Sequence, residues 1–415
     1  MRSGTNLPRV GGFNRSVILD AIRRSPEGVS RVEIAGATGL SAQTVSNIVR
    51  RLLQEDLVSE SGRAASTGGK PRTLLRTNPT AYFSVGIHID PDTITLVATD
   101  LDGCVRGTVH RRTPRNPSAN QVVRQVAGAV RGLLERAQIP VDRLLGLGVA
   151  CPGPLDLSRG LVLSPPNLPG WHEVPLLAYL QEEFGVPVVV DNDATAAAIG
   201  ERWAGVGERS GSFAFLYFGT GVGGGLLLGD QVWRGNSGNA GEFGHITVVP
   251  NGAGCFCGNK GCLEAYVRPH AIVAETVSLL EKRRSEPLPL TLEPNREFAD
   301  YEVICQAAGD GHPVARQVIQ RAAAKVAIAA TTLVNVVDVE RIVLGGKGVR
   351  YVLDVYQAAI DEAVNARSIA RGVRTVRVEP SLIGEDAGAR GAAALVLDGA
   401  YSPQLATLFS PAPLS

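Results

Sequence analysis

Residues 244–266 read GHITVVPNGAGCFCGNKGCLEAY. Three of the chain's six cysteines, Cys255, Cys257 and Cys262, fall here, ten to seventeen residues after His245. The pattern is H-x9-C-x-C-x4-C. One imidazole and three thiolates make a closed tetrahedral zinc set with no position left for a reactive water. Such a zinc ion is structural: it pins a loop. Gly254, Gly258 and Gly261 let so short a segment fold around an ion. The rival reading, three reduced core cysteines near an unrelated histidine, fits the dense spacing and turn-like flanks less well. Two acids flank the clip. Glu242 lies three residues before His245 and Glu264 two after Cys262, so the clip draws both carboxylates toward one place. Converging carboxylates in a cleft suit neighbouring sugar hydroxyls. Two solvated surface acids remain the plainer alternative.

The 415 residues are enough for two or three domains. The overall charge of +1 hides an asymmetry. Residues 1–80 hold twelve Lys/Arg against six Asp/Glu, a net +6, which leaves −5 for the rest. A basic head on a mildly acidic body suggests that only the head meets a polyanion. No charged-then-apolar leader opens the sequence, and its most apolar helical run, near residues 322–337, contains Lys325. The expected home is the cytoplasm, or the nucleoid when DNA is bound, with no membrane partner. In a reducing compartment a cysteine cluster points to metal rather than disulfides.

The head shows three helical patterns. In FNRSVILDAIRRS (13–25), Phe13, Val17, Ile18, Ala21 and Ile22 share one face. Ser30 and Glu33 stand at capping-box spacing, so a helix should open at Arg31. Gly36 and Gly39 then permit a tight turn. Ser41 caps a longer third helix whose stripe is Val45, Ile48, Val49, Leu52 and Leu53. Two short helices, a turn and a longer helix make a helix-turn-helix. The exposed start of the third presents Gln43, Thr44, Ser46, Asn47 and Arg50 to base edges in the major groove of double-stranded DNA. Two strand-like runs follow, joined by SGRAASTGGKP (61–71). Its Arg63 and Lys70, with Arg72, fit a wing along phosphates. The alternative is a basic helical trimer that binds protein. It leaves the agreement of charge, caps, polar face and wing unexplained.

TNPTAYF (77–83) reads as a linker, which sets a head over 1–80 and a body over 81–415. Strand-rich starts followed by alternating helices and strands occur twice. They describe two α/β lobes, 81–200 plus the C-terminal helix and 201–385, with a cleft between them. The Pro- and charge-rich stretch 279–300 reads as a surface insertion.

At this point the residues resemble a known family. GEFGH (241–245) followed by CFCGNKGCLEAY (255–266) is similar to the signature of the ROK family of bacterial repressors and sugar kinases. SPPNLPGW (164–171), DNDATAAAIGE (191–201), GTGVGGG (219–225), IVLGGKG (342–348) and GEDAGARGAA (384–393) resemble family segments in family order. The head resembles that of the repressor branch. The resemblance implies the two-lobed actin-like, ribonuclease-H-like ATPase fold. It implies a sugar held by Asn192, Asp193, Glu242, His245 and Glu264, with Asn167 near the same cleft. In the family's kinases the residue matching Asp193 is the general base. Read by itself, Asn192-Asp193 is also a helix N-cap, and both roles can coexist.

Family kinases carry D-I-G-G-T at the first phosphate turn. Here it is HIDPDT (88–93): His88 replaces the aspartate, Asp90 and Pro91 the glycines, and Asp92 the threonine. Proline removes an amide donor. Two carboxylates repel a triphosphate, by about 4 kcal/mol per pair of unit charges at ~4 Å and an effective dielectric of ~20. The second glycine run, 219–225, and Gly345-Gly346 survive. The expectation is a sugar-responsive repressor without kinase activity, acting as a homodimer or homotetramer on a pseudo-palindromic operator. An active sugar kinase with a DNA-binding head, and a regulator answering to a protein partner, are the alternatives.

Overall fold

The computed structural model describes residues 7–63, 72–114, 117–156, 159–163, 168, 170–171, 173–205, 211–283, 286–293 and 296–402. The head opens with α1 (Leu7–Arg23), β1 (Val29–Ser30), α2 (Arg31–Thr38) and α3 (Ala42–Gln54). Helix α2 starts where its capping box dictates. Ser30 Oγ accepts from Glu33 N, and Glu33 accepts in return from Ser30 N at 2.8 Å. Ser41 caps α3 by accepting from Thr44 N. Ile18, Ile22, Ile34, Val45, Val49 and Leu52 form the head's core. Truncating Leu52 to Ala would cost about 2–5 kcal/mol, a large part of what so small a unit can spare.

Two sequence expectations for the head are corrected. Helix α1 is not short: at 17 residues it is longer than α3, with 13. Gly36 does not turn the chain, because it sits inside α2. Gly39 alone does so, as a left-handed C-cap at φ 70°. The wing strands β2 (Val58–Arg63) and β3 (Thr73–Thr77) pair antiparallel, and β1 adds an unforeseen third strand through Val29 opposite Leu75.

The body contains β4 (Phe83–Ile89), β5 (Thr93–Asp100), β6 (Val105–Arg112), α4 (Ala119–Arg136) and β7 (Leu144–Cys151). Next come β8 (Leu155–Asp156), β9 (Leu161–Val162), α5 (Leu176–Phe184), β10 (Val188–Asn192) and α6 (Asp193–Ala204). The second lobe brings β11 (Phe213–Phe218), β12 (Val222–Leu228), β13 (Gln231–Val232), α7 (Glu264–Val267), α8 (Pro269–Arg283) and α9 (Glu297–Gly309). It continues with α10 (Pro313–Val337), β14 (Arg341–Gly345), α11 (Leu353–Arg367) and β15 (Arg377–Pro380), after which the chain enters α12 (Ala387–Tyr401).

The duplication read from the sequence is explicit in the sheets. One runs β6-β5-β4-β7-β10 and the other β13-β12-β11-β14-β15. In each, an antiparallel three-strand meander is extended by two parallel strands. Helix α12 returns to the first lobe and lies directly on its sheet. A Cβ on Gly86 would come within 1.9 Å of Ala389 O, and one on Gly148 within 1.8 Å of Ala392 O. Only glycine permits that approach.

The stretch 279–300 is not a surface insertion throughout. It begins inside α8 and ends inside α9, and between them Leu288 and Leu290 pack on the second lobe's core. Buried Asp300 accepts from the amides of Thr291 and Leu292, which holds that bend down. No helix among the described residues is long and apolar enough to cross a membrane.

Candidate functional site

The strand β10 ends on Asn192, and its side chain caps α6 by accepting from Ala194 N (2.9 Å) and Thr195 N (3.3 Å). The cap fixes Asp193 at the helix N-terminus, where the dipole favours a carboxylate. Facing it, Glu242 precedes a turn of 3-10 helix, Phe243–His245. Leu263 N donates to Ile246 O at 2.9 Å, which ties that turn to the start of α7 and brings in Glu264. Glu264 is buried and accepts from Val222 N at 3.0 Å. Gly221 and Gly244 make room for its carboxylate: a Cβ there would lie 2.8 Å and 3.3 Å from Oε2.

These carboxylates feel one another. Lost hydration raises the Glu242 pKa even though its side chain is 55% exposed; His245 opposes the rise, and Asp193 and Glu264 add to it. A converging acidic set of this kind accepts hydrogen bonds from neutral hydroxyls and repels anions. Asp193, His245 and Glu264 thus lie within electrostatic reach of Glu242, and Asn192 adjoins Asp193 at the start of α6. Asn167 lies outside the described residues.

Across the turn from Glu242, the ligating atoms of His245, Cys255, Cys257 and Cys262 lie within 4.8 Å of one another. His245 Nδ1 is 3.6 Å from Cys255 Sγ, and Cys257 Sγ is 3.7 Å from Cys262 Sγ. Bond lengths of about 2.3 Å to sulfur and 2.0 Å to nitrogen give tetrahedral edges of roughly 3.5–3.8 Å. The donor set therefore fits a metal ion. His245 divides its ring: Nδ1 faces the thiols, while Nε2 faces Glu242 Oε2 at 3.8 Å. The loop closes through Gly258 and Gly261 at φ 90° and 76°, and a Cβ on Gly261 would strike Val249 O.

The turn after β4 holds a residue that the sequence did not single out. Lys347, just past β14 in the other lobe, donates to Asp90 Oδ1 at 2.9 Å and lies 3.5 Å from Asp92 Oδ2. Its ammonium also sits 4.3 Å over the Phe298 ring. Asp90 Oδ2 in turn reaches Thr220 Oγ1 at 3.4 Å, against the second glycine turn. The protein's own carboxylate thus stands between the two turns that could approach a phosphate. His88 is buried, with Nε2 3.8 Å from Asp193 Oδ2 and 3.5 Å from Tyr217 Oη. A second tie missed in the sequence runs from Arg234 to buried Asp191, at 2.9 Å through Nε and 2.7 Å through Nη2. Long-range pairs of this kind leave no periodic signal.

In the head, Gln43, Asn47 and Arg50 lie exposed on one face of α3, and Gln43 Nε2 donates to Asn47 Oδ1 at 3.2 Å. Ser46 is half-buried. Thr44 is turned toward the cap, its Oγ1 2.9 Å from Ser41 Oγ. Arg63 closes β2 and Arg72 stands exposed before β3. Lys70 and the Arg63 side chain lie outside the described residues.

A winged helix-turn-helix head on a body of two α/β lobes defines a class: proteins with a DNA-binding head whose larger part shares the actin-like fold of sugar kinases. The ROK family model matches residues 84–399 and a MarR family model residues 12–65. The chain belongs to the ROK family and carries a MarR-type head. It is 30% identical to the xylose repressor of Caldicellulosiruptor bescii, over 90% of this chain and 93% of that protein. Among solved structures, a ROK family transcriptional regulator described as a homolog of the E. coli MLC protein superposes with a TM-score of 0.78 at 24% identity. That match covers 97% of this chain and 99% of the other. The ROK glucokinase of Streptomyces griseus, in complex with glucose and AMPPNP, gives a TM-score of 0.65 at 30% identity, covering 75% and 98%.

Proposed function

We propose that the protein is a sugar-responsive transcriptional repressor in which a kinase-derived body senses an aldose and does not phosphorylate it. One observation carries this reading. Asp193, Glu242, His245 and Glu264 lie close enough to influence one another, with Asn192 beside them, a set of groups suited to sugar hydroxyls, while Lys347 pairs with Asp90 in the turn a nucleotide's phosphates would need. The head, residues 1–80, binds double-stranded DNA through α3, with Gln43, Asn47 and Arg50 toward base edges and Arg63, Lys70 and Arg72 along phosphates. The body, residues 81–415, binds the effector. D-Xylose is the first effector to try, because the repressor relative is named for xylose.

The metal is zinc, held by His245, Cys255, Cys257 and Cys262. It supplies a rigid cross-link and no chemistry of its own, since protein donors fill all four positions. Its consequence lies in the chain: with Nδ1 committed, His245 offers only Nε2 to the cleft, and Glu242 and Glu264 are held on either side of it. Asn192 and Asp193 take sugar hydroxyls from the opposite wall, so a bound aldose draws the walls together. The protein works in the cytoplasm as a homodimer or homotetramer, because a twofold assembly matches a pseudo-palindromic operator.

Intact Asp193 supports the second reading, an ATP-dependent sugar kinase with a DNA-binding head. An electrophoretic shift with operator fragments selected by the protein itself, repeated over an aldose panel, decides between them. Release by D-xylose or another aldose without ATP is expected. Release by no aldose, or ADP formation that depends on Asp193, would overturn the proposal.

A further inference from the structure

Helix α6 begins at the candidate sugar site and ends at the head. Asp193 opens it, and Trp203, ten residues on, sits roughly 15 Å along its axis. There the Arg23 guanidinium of α1 lies 4.1 Å above the Trp203 ring, and Arg23 Nη1 donates to Trp203 O at 2.7 Å. A cation at a helix C-terminus gains from the dipole as well as from the ring. Asp20 holds Arg23 in place through Nη2 at 2.9 Å. No other side chain of α1 donates a hydrogen bond to the body among the described residues.

Helix α6 does not act alone. It runs beside α12 with the two backbones in contact. A Cβ on Gly200 would come within 2.8 Å of Gly391 Cα, and one on Gly391 within 2.3 Å of Ala196 C. Arg202 cross-links the pair through Asp398 and Ser402, and also donates to Asp230 O, in the second lobe, at 2.7 Å. Helix α12 repeats the same span: Gly388 near its start lies against the His88 ring, and Tyr401 at its end lines a small cavity shared by Leu19, Arg23 and Trp203. Two parallel helices therefore join the cleft to the joint as one body.

The head's other attachment is to different elements. Thr77 Oγ1 donates to Asp102 at 2.6 Å, Leu101 N to Pro79 O at 3.0 Å, and Arg143 to Ala81 O at 3.2 Å. The head is thus held to turns of the first lobe by the linker and by the Asp56–Arg143 ion pair at 3.8 Å, and to the end of α6 by Arg23 and the apolar packing around Trp203. A shift of α6 relative to those turns would act on the head through the Trp203 end. On the α6 side the polar contact is thin: Arg23 Nε and Trp203 Nε1 are buried without a hydrogen-bond partner among the described residues, so Arg23 adds one hydrogen bond and its stack on Trp203 to the apolar packing of Leu19 beside Leu101, Trp203 and Tyr401.

We propose that Arg23 and Trp203 are the positioning pair through which occupancy of the Asp193 cleft sets the orientation of the DNA-binding head. This rests on the reading of the body as an aldose sensor. It assigns the coupling to one rod, α6 with α12, and to one contact at its end.

The test uses the full chain and its selected operator, with D-xylose or whichever panel aldose releases the wild type. Arg23→Ala and Trp203→Phe should bind that aldose within about twofold of wild type by calorimetry. The wild-type aldose-induced loss of operator affinity, of order 5–150-fold for coupling of this kind, should shrink to under about threefold in both variants. Arg23→Lys, which keeps the charge but not the planar stack, should fall between. In a Trp171→Phe/Trp233→Phe background, aldose should shift Trp203 emission, and Arg23→Ala should abolish the shift. Undiminished release by both variants, or Trp203 emission blind to a sugar that does release wild type, overturns the proposal while leaving the sensor reading intact. Failure of the wild type itself to respond to any aldose refutes the sensor reading, and the proposal with it.

Discussion

Lys347 Nζ lies 2.9 Å from Asp90 Oδ1, and the pair joins the two lobes between the turn that follows β4 and the turn that follows β14. Asp90 follows the last residue of β4 and Lys347 follows β14, so neither lobe can move away without breaking the contact. A nucleotide would have to displace the ammonium, face Asp90 and Asp92 uncompensated, and do without the amide that Pro91 lacks. The chain should therefore release no ADP above background with any aldose. Calorimetry with a non-hydrolysable ATP analogue and magnesium should show no heat. Lys347→Ala should not restore binding, because the carboxylates and the proline remain. Saturable nucleotide binding by the wild type would contradict this account.

The same pair has a defined pH response. Burial works against a charged Lys347, but Asp90 and Asp92 outweigh it and hold the ammonium above its ordinary 10.5. A raised lysine contributes stability that is complete below the unfolded value and is lost as pH rises through the folded one. Asp92 is raised as well, but by burial and against the pull of Lys347, so for this acid the shift makes the ionised form a cost at neutral pH. The melting difference between wild type and Lys347→Met should be flat from about pH 6 to about pH 9 and should shrink above 10.5. A difference that changed sharply near neutrality would point to another group.

Local chemistry was legible in the sequence and long-range pairing was not. The Ser30–Glu33 box, the Ser41 cap and the Asn192 cap were readable because each is closed within three residues. The metal cluster was readable because its three cysteines span eight residues and only His245 lies apart. The doubled lobe was readable as repeated order, although not as one strand order shared by two sheets. Lys347 was seen only as the end of a glycine turn, since its partners lie 255 and 257 residues away. Arg23 and Trp203, 180 residues apart, look like ordinary members of two amphipathic helices. Gly36 misled because glycine marks a turn only where φ demands it, and mid-helix it merely lowers propensity.

Removing one metal ligand should act on the cleft rather than on the head. Cys257→Ser leaves three donors, and the loop that carries Glu264 loses its clip. Elemental analysis should find about one zinc per wild-type chain and much less in the variant. Aldose affinity should fall at least ~10-fold, as disorder of the unclipped loop spreads to His245 Nε2 and Glu242. Operator affinity without sugar should stay within a few-fold, because the head's core of Ile18, Ile34 and Leu52 makes no contact with the loop. Full zinc occupancy in Cys257→Ser would remove that cysteine from the ligand set.

Glu264→Gln isolates charge from packing. The amide oxygen can still accept from Val222 N, so the local fold survives, but the carboxylate is lost. Hydrogen bonds to charged groups contribute about 1.5–3 kcal/mol, so aldose affinity should fall roughly 10- to 100-fold. Asp193→Asn should weaken binding similarly while Asn192 still caps α6. If both variants bound and responded as wild type does, the effector would have to sit elsewhere.

Residues of the head separate by what they touch. Arg50 is exposed on the same face of α3 as Asn47, the face proposed to meet base edges, whereas Arg72 stands before β3, beside the wing. A bidentate base contact discriminates by about 1–3 kcal/mol, and a phosphate contact adds affinity for every sequence alike. Arg50→Ala should therefore weaken operator binding by roughly 10- to 100-fold and narrow the gap between operator and random DNA. Arg72→Ala should weaken both by a similar factor and lower the salt slope of binding by about 1. Measuring each variant on operator and on random duplex at several salt concentrations distinguishes the two modes. If Arg50→Ala lost affinity equally on both DNAs, with the salt slope reduced, α3 would lie along the backbone rather than in the groove. The docking of the head would then have to place the wing strands, rather than α3, toward the bases.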